Sequence, residues 1–143
     1  MRSAADDTVS LIIEKWSASF GRLDADALAS LYSENAFFFG SNPTLYRGRD
    51  GVAAYFNALP RWPAPTVQFT GISTVQVVPD LINFAATATF LVSAGATPLS
   101  VKITWVIGRE EGDWKIVSHH VSPTAPLIDR VAGGTGPTAR SAG

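Results

Sequence analysis

His119 and His120 are the only histidines in the chain, and an imidazole, with an ordinary pKa of about 6.5, is the side chain best suited to moving protons near neutrality. Any acid–base chemistry is expected to pass through them. They lie in Gly112-Asp113-Trp114-Lys115-Ile116-Val117-Ser118-His119-His120-Val121-Ser122, where Gly112-Asp113 reads as a turn and the β-branched run after it as a closing strand. Neighbouring strand residues point to opposite faces, so the two rings cannot both face one cavity, nor readily bind one metal ion. Polarity separates the faces. Val101, Ile103, Trp105, Val117, His119 and Val121 form the more apolar set, and Lys102, Thr104, Ile116, Ser118 and His120 the other. His119 is therefore expected to face a cavity, where burial among Trp and Phe favours its neutral form and suits a general base. A partly buried histidine hydrogen-bonded to backbone or water fits the same pattern.

Other chemistries fail on inventory. With no cysteine there is neither a disulfide framework nor a thiolate metal site, and with the histidines on opposite faces no metal is expected. Eleven basic and twelve acidic side chains give a formal charge of -1, without the basic cluster that tracks a phosphate backbone, so nucleic acid is not an expected partner. Gly133 to Gly136 does not follow a strand and is no phosphate cradle, Pro43 excludes Asn42-Pro43-Thr44 as a glycosylation site, and no serine nucleophile motif occurs. Asp24, Asp26 and Asp50 read as helix-start residues, and Lys102 as a solvated or interface lysine. No apolar run reaches the ~20 residues of a membrane helix, and the N-terminus lacks the apolar core of a signal peptide. A soluble, cytoplasmic protein with no membrane partner is expected.

Large rings are plentiful: Trp16, Phe20, Phe38, Tyr55, Phe56, Trp62 and Trp105. Aromatic walls with few polar groups suit a pocket for a small apolar or aromatic ligand, although such rings also make ordinary core.

The elements that must position these residues follow from periodicity. Val9, Ile12, Ile13, Trp16 and Phe20 recur at helical spacing after Asp6-Asp7-Thr8, any of which can cap, and Gly21 reads as the stop. Asp24 caps a short second helix carrying Leu28 and Leu31, and Asn35 to Phe39 reads as a strand. Gly40-Ser41-Asn42-Pro43 is turn chemistry, and Asp50 leads into a third helix bearing Val52, Tyr55, Phe56 and Leu59, ended by Pro60. Strands follow: Val67 to Val77 with a bulge or bend at Gly71, a long strand with Ile82, Phe84, Ala86, Ala88, Phe90 and Val92 on one face, then Val101 to Ile107, then the closing strand. Three helices ahead of a curved, mainly antiparallel sheet make an α+β domain, with the helices covering one face and enclosing a pocket in a cone. The domain is expected over 8–123, and 124–143, rich in small residues, as a flexible tail.

This order, with Leu31-Tyr32-Ser33-Glu34-Asn35-Ala36, Tyr46-Arg47-Gly48-Arg49-Asp50 and Trp114-Lys115-Ile116-Val117, resembles the nuclear transport factor 2-like (SnoaL-like) superfamily over roughly Thr8 to Pro123. The closing segment is similar to the bacterial relatives of the calcium/calmodulin-dependent kinase II association domain, among them small proteins encoded with enediyne polyketide pathways. Trp16 and Tyr55-Phe56 also suit that group. The resemblance implies a cystatin-like cone, commonly a homodimer through the outer sheet face, whose pocket hosts unrelated chemistries in different members. It further implies Trp16 and Trp105 as pocket walls and donors, Tyr46 near the pocket mouth, and His120 at a subunit interface. Ketosteroid isomerase keeps a tyrosine donor, a carboxylate base and a second acid where this chain has Trp16, Gly40 (or Phe39 or Ser41 after a one-residue shift) and Trp105. That enolisation is excluded. The arginines of the association-domain pocket fall on Trp105 and Val121, and the epoxide hydrolases need an Asp-Arg-Asp set inside the cavity, whereas Asp and Arg here fall mainly in inferred turns, caps and the tail.

The expectation that results is a cofactor-independent pocket protein, of cyclase or isomerase type or accessory to polyketide metabolism. His119 would transfer protons, and Trp16, Phe38, Tyr46, Tyr55, Phe56, Trp62 and Trp105 would contact ligand. The alternative is a non-catalytic oligomerisation module of the kinase association-domain type.

Overall fold

Ser3, ahead of the three residues expected to cap it, starts the first helix, α1 (Ala4–Gly21). Its side chain accepts the Asp6 N–H at 3.0 Å, and the Asp6 carboxylate accepts the Ser3 N–H at 3.2 Å, so two otherwise orphaned donors are satisfied. In this computed structural model, which describes residues 2–128, Val9, Ile12, Trp16 and Phe20 form the buried stripe of α1 and pack towards strand β3 (Thr66–Val78). Gly21 is still helical; the left-handed turn that ends α1 falls on Leu23, with φ 52°. Asp24 caps α2 (Ala25–Ala29) by accepting the Ala27 N–H, as its position suggested.

The first strand, β1 (Tyr32–Phe39), starts three residues before the expected boundary and leaves Leu31 outside α2. A short strand that periodicity did not indicate, β2 (Leu45–Arg47), pairs with it. Helix α3 (Gly48–Asn57) then begins ahead of Asp50, which sits in its first turn, and ends before Leu59 and Pro60. Gly71 bends β3 at φ 60°, where the register with β4 (Leu81–Leu91) shifts between Thr70 and Ser73. With β5 (Leu99–Glu110) and β6 (Asp113–Pro123) the sheet runs β2-β1-β6-β5-β4-β3, and among the described residues the only parallel pair is β1 with β6. The described residues thus form an α+β fold, three helices on a six-stranded, mainly antiparallel sheet.

One residue alters the expected faces of β6. Val106 pairs with Ser118 and Ile107 with Ile116, so Val117 is an extra residue that shifts the alternation. Ile116, expected outside, is fully buried; His119 is buried opposite Trp105, and His120 is exposed on the outer face. Among the described residues no helix is long and apolar enough to cross a membrane. Residues 124–128 follow the last strand, whereas 129–143, most of the expected tail and all of Gly133 to Gly136, lie outside the described residues.

Candidate functional site

A cavity of about 150 Å³ lies between the helices and the inner face of the sheet. Trp16 and Phe20 of α1, Tyr55 and Phe56 of α3, Leu59 and Trp62 of the following loop, and Phe90, Val101, Ile103 and Val121 of the strands supply apolar wall. That loop is fastened by Arg61, whose guanidinium donates to the carbonyls of Leu23 (3.2 Å), Phe56 (2.9 Å) and Leu59 (3.3 Å). An apolar cavity of about 150 Å³ holds benzene, whereas drug-sized ligands fill about 300–1,000 Å³. The space fits one ring or the end of a chain.

His119 reaches the cavity from the middle of β6, with Trp105 opposite it on β5 and Phe38 opposite it on β1. The imidazole stacks on Phe38 with ring centres 3.9 Å apart. Its Nδ1 accepts the indole N–H of Trp105 at 2.9 Å and lies 2.9 Å from the hydroxyl of Tyr32. Tyr32 Oη in turn accepts the Trp16 indole N–H at 3.0 Å. An indole can only donate, so a proton on Nδ1 would face the Trp105 proton head on. Nδ1 is therefore the acceptor of both contacts, Tyr32 gives it the hydroxyl proton, and neutral His119 carries its own proton on Nε2. That nitrogen has no partner among the described residues and is not among their sealed, unpaired polar atoms, which places its N–H at the cavity.

Burial in this apolar setting, assisted by the nearby His120, lowers the His119 pKa to about 3. Burial also pushes the Tyr32 phenol above its ordinary range, against the opposing hydrogen bond from Trp16. The network thus stays neutral across the physiological range. His119 differs here from the expected general base. Its only lone pair is turned away from the cavity and occupied by two donors, while the nitrogen on the cavity side offers a proton. A neutral imidazole so fixed is a hydrogen-bond donor that can polarise an acceptor.

A second polar point is the Ser41–Tyr55 pair. Tyr55 Oη accepts the Ser41 N–H at 3.0 Å and shares a hydrogen bond of 2.7 Å with Ser41 Oγ. Gly40 makes room for it, since a Cβ there would lie 2.5 Å from Tyr55 Cζ. Phe38 contacts both polar points, its ring centre 4.8 Å from that of Tyr55.

Of the residues expected to contact ligand, Trp16, Phe38, Tyr55, Phe56 and Trp62 line the cavity. Trp105 does not; it is fully buried behind His119, stacked on Phe84, and its N–H serves His119. Trp16 is wall, but its N–H is committed to Tyr32, so neither indole is a free donor. Tyr46 packs edge-on against Phe38 and Tyr55 outside the lining, and accepts a hydrogen bond from Asn42. Tyr32 and Ser41 were not singled out by sequence. The one signal for Tyr32 is its even-numbered phase with Ala36 and Phe38, all three buried. Lys102 is exposed, away from the cavity.

No carboxylate lines the cavity, and among the described residues no three His, Asp or Glu side chains converge as a metal site would require. A separate polar depression holds Glu34, Arg47, Gly48, Arg49 and Asp50. Its arginines are engaged: Arg49 donates to the Tyr32 carbonyl at 2.9 Å, and Arg47 lies 5.1 Å over the Phe37 ring.

The family model for the SnoaL-like domain matches residues 9–126. No curated protein matches the chain significantly. Among solved structures, a protein from Xanthomonas campestris provisionally described as a calcium/calmodulin dependent protein kinase II association domain superposes with a TM-score of 0.78 at 18% identity, covering 88% of this chain and 91% of its own. A domain of unknown function with a cystatin-like fold from Nostoc punctiforme gives 0.76 at 12% identity, with coverages of 99% and 93%. A protein from Streptomyces avermitilis, provisionally described as a dehydratase of the nuclear transport factor 2-like family, gives 0.72 at 18% identity, with coverages of 84% and 96%. At such identities the likeness carries the fold alone.

Proposed function

Because the chain belongs to the SnoaL-like domain family, we propose that it is a small-molecule pocket protein, one that takes up a mostly apolar molecule of about one ring and either transforms it or shields it. The observation that carries this is the apolar cavity of about 150 Å³ with His119 directed into it. Cyclase or isomerase work in secondary metabolism, polyketide metabolism included, suits a bacterial cytoplasmic protein of this family. Any such reaction proceeds without a carboxylate base, since none lines the cavity. The same limit applies if the chain shares the dehydratase activity by which its Streptomyces neighbour is described.

The test is mass spectrometry of molecules released from the native protein, followed by titration of its tryptophan fluorescence, to which Trp16 and Trp62 contribute from the cavity wall, with ring-sized probes. The expected result is a copurifying compound of about one ring, or binding of such probes below millimolar concentration. No copurifying compound and no saturable binding by benzene-sized or phenol-sized probes would overturn the reading.

Assembly through the outer sheet face is a second reading, favoured by the exposure of Val75 (59%), Val77 (55%) and Phe37 (50%). Apolar residues of this size on a sheet face suit a second copy of the chain. Phe39 and His120 would lie on the same face, their ring centres 5.4 Å apart. Sedimentation at micromolar concentration is expected to give a dimer that Val75→Glu with Val77→Glu dissociates. A monomer in the unmodified protein would overturn it.

A further inference from the structure

Resting on the pocket reading, we propose that the molecule taken up is an uncharged carbonyl compound, held at its carbonyl oxygen by the Nε2–H of His119 and at a second polar substituent by the Ser41–Tyr55 pair. The first half follows from the direction of the His119 hydrogen bonds. Trp105 fixes Nδ1 as an acceptor, so the cavity side of the ring offers a donor and nothing else. A ligand with only hydrocarbon there would leave this donor without a partner, at a cost comparable to that of a lost hydrogen bond. A ligand donor such as an ammonium or an amide N–H would meet another proton. An oxygen acceptor satisfies the position, and a carbonyl does so while leaving the rest of the molecule apolar.

Charge narrows the class. No lysine, arginine, aspartate or glutamate lines the cavity, so a carboxylate or a cation would enter without a counter-charge, and burial of an unpaired charge is strongly unfavourable. His119 cannot supply the charge, because Trp105 and Tyr32 hold the one lone pair that a proton would need. The second half follows from placement. Phe38 stacks on His119 at 3.9 Å and contacts Tyr55 at 4.8 Å, so one ring-sized molecule against Phe38 reaches both polar points. The Ser41 and Tyr55 hydroxyls donate one hydrogen bond to each other, which leaves one hydroxyl proton for the ligand. A ligand hydroxyl or second carbonyl suits that end.

Compared with an abstracting base, this site polarises the carbonyl and leaves the neighbouring C–H bonds alone. His119 and the Ser41–Tyr55 pair then determine specificity, with Trp105 and Tyr32 as positioning residues.

The experiment is calorimetric titration of the whole protein with ethylbenzene, acetophenone, 4-hydroxyacetophenone and 4-hydroxybenzoate, which share one ring and differ in polar groups. Acetophenone should bind about 10-fold tighter than ethylbenzene, the hydroxyketone tighter again by a similar factor, and the carboxylate at least about 100-fold weaker than the hydroxyketone. The carbonyl stretch of bound acetophenone should fall below its value in hydrocarbon solvent. Ser41→Ala combined with Tyr55→Phe, which removes both hydroxyls, should reduce the advantage of the hydroxyketone over acetophenone to less than about 2-fold. Equal affinity for ethylbenzene and acetophenone, tight carboxylate binding, or an unshifted stretch would overturn the inference and leave the pocket reading standing. Failure of all four probes to bind would overturn the inference and, with no copurifying compound, the pocket reading beneath it.

Discussion

Replacing Tyr32 by Phe deletes one oxygen atom from the centre of the chain Trp16 to Tyr32 to His119. Two losses follow. The Tyr32–His119 hydrogen bond is worth about 1 kcal/mol net, and the Trp16 N–H, buried with no other partner, costs about 1–3 kcal/mol more. Together they predict destabilisation by about 2–4 kcal/mol, a fall in Tm of roughly 10 °C for a domain of this size. In a Trp16→Phe background there is no N–H to orphan, and the same Tyr32→Phe step should cost only about 1 kcal/mol. The double-mutant cycle should therefore return a coupling of about 1–3 kcal/mol, with the loss of indole volume cancelling between its arms. Urea unfolding of the four proteins, read by circular dichroism, supplies the numbers. Additivity within about 0.5 kcal/mol would mean that the indole and phenol do not share a hydrogen bond, and the network argument would fail.

Stability should also fall on mild acidification. His119 stays neutral to about pH 3 in the fold and takes up a proton near 6.5 when unfolded. Between those values the unfolded chain binds more protons, so stability is present above pH 6.5 and is lost as pH falls, by about 2 kcal/mol at about pH 5. His119→Phe should lack that component, and parallel stability profiles for the two proteins would refute it. Gly40→Ala drives a Cβ to within 2.5 Å of the Tyr55 ring. It should cost about 1–3 kcal/mol in urea unfolding and weaken ring-sized ligands about 10-fold or more, because Tyr55 must leave the wall; unchanged stability and affinity would show that Tyr55 is free to move.

The helices were legible because their buried stripes repeat at helical spacing, as Val9, Ile12, Trp16 and Phe20 do. Their ends were less so. Ser3 and Leu23 act through local hydrogen bonds and a left-handed turn that apolar periodicity does not register. Strand alternation placed His119 inside for a sound reason, its phase with Trp105, Ile103 and Val121. The same alternation misplaced Ile116, because the bulge at Val117 lies before His119 and reverses only what precedes it. Sequence supplied the face of Trp105 but not its depth, which depends on how far His119 and Phe84 stand in front of it. Tyr32 escaped notice at the junction of helix and strand, where neither period is established, and yet it joins Trp16 to His119. The direction of a hydrogen bond, on which the chemistry turns, is set by three side chains from three strands and a fourth from a helix. No spacing in the chain encodes that convergence.

The central claim is that His119 is a neutral imidazole with its proton on Nε2, turned to the cavity. Nitrogen-15 NMR of the histidine-labelled protein tests it most directly. One of the two rings, assigned by its absence from His119→Phe, should show a pyridine-like Nδ1 and a pyrrole-like Nε2, unchanged from about pH 8 to about pH 5, as a pKa of about 3 requires. A proton on Nδ1, or a His119 that titrates near its ordinary value, would contradict the account.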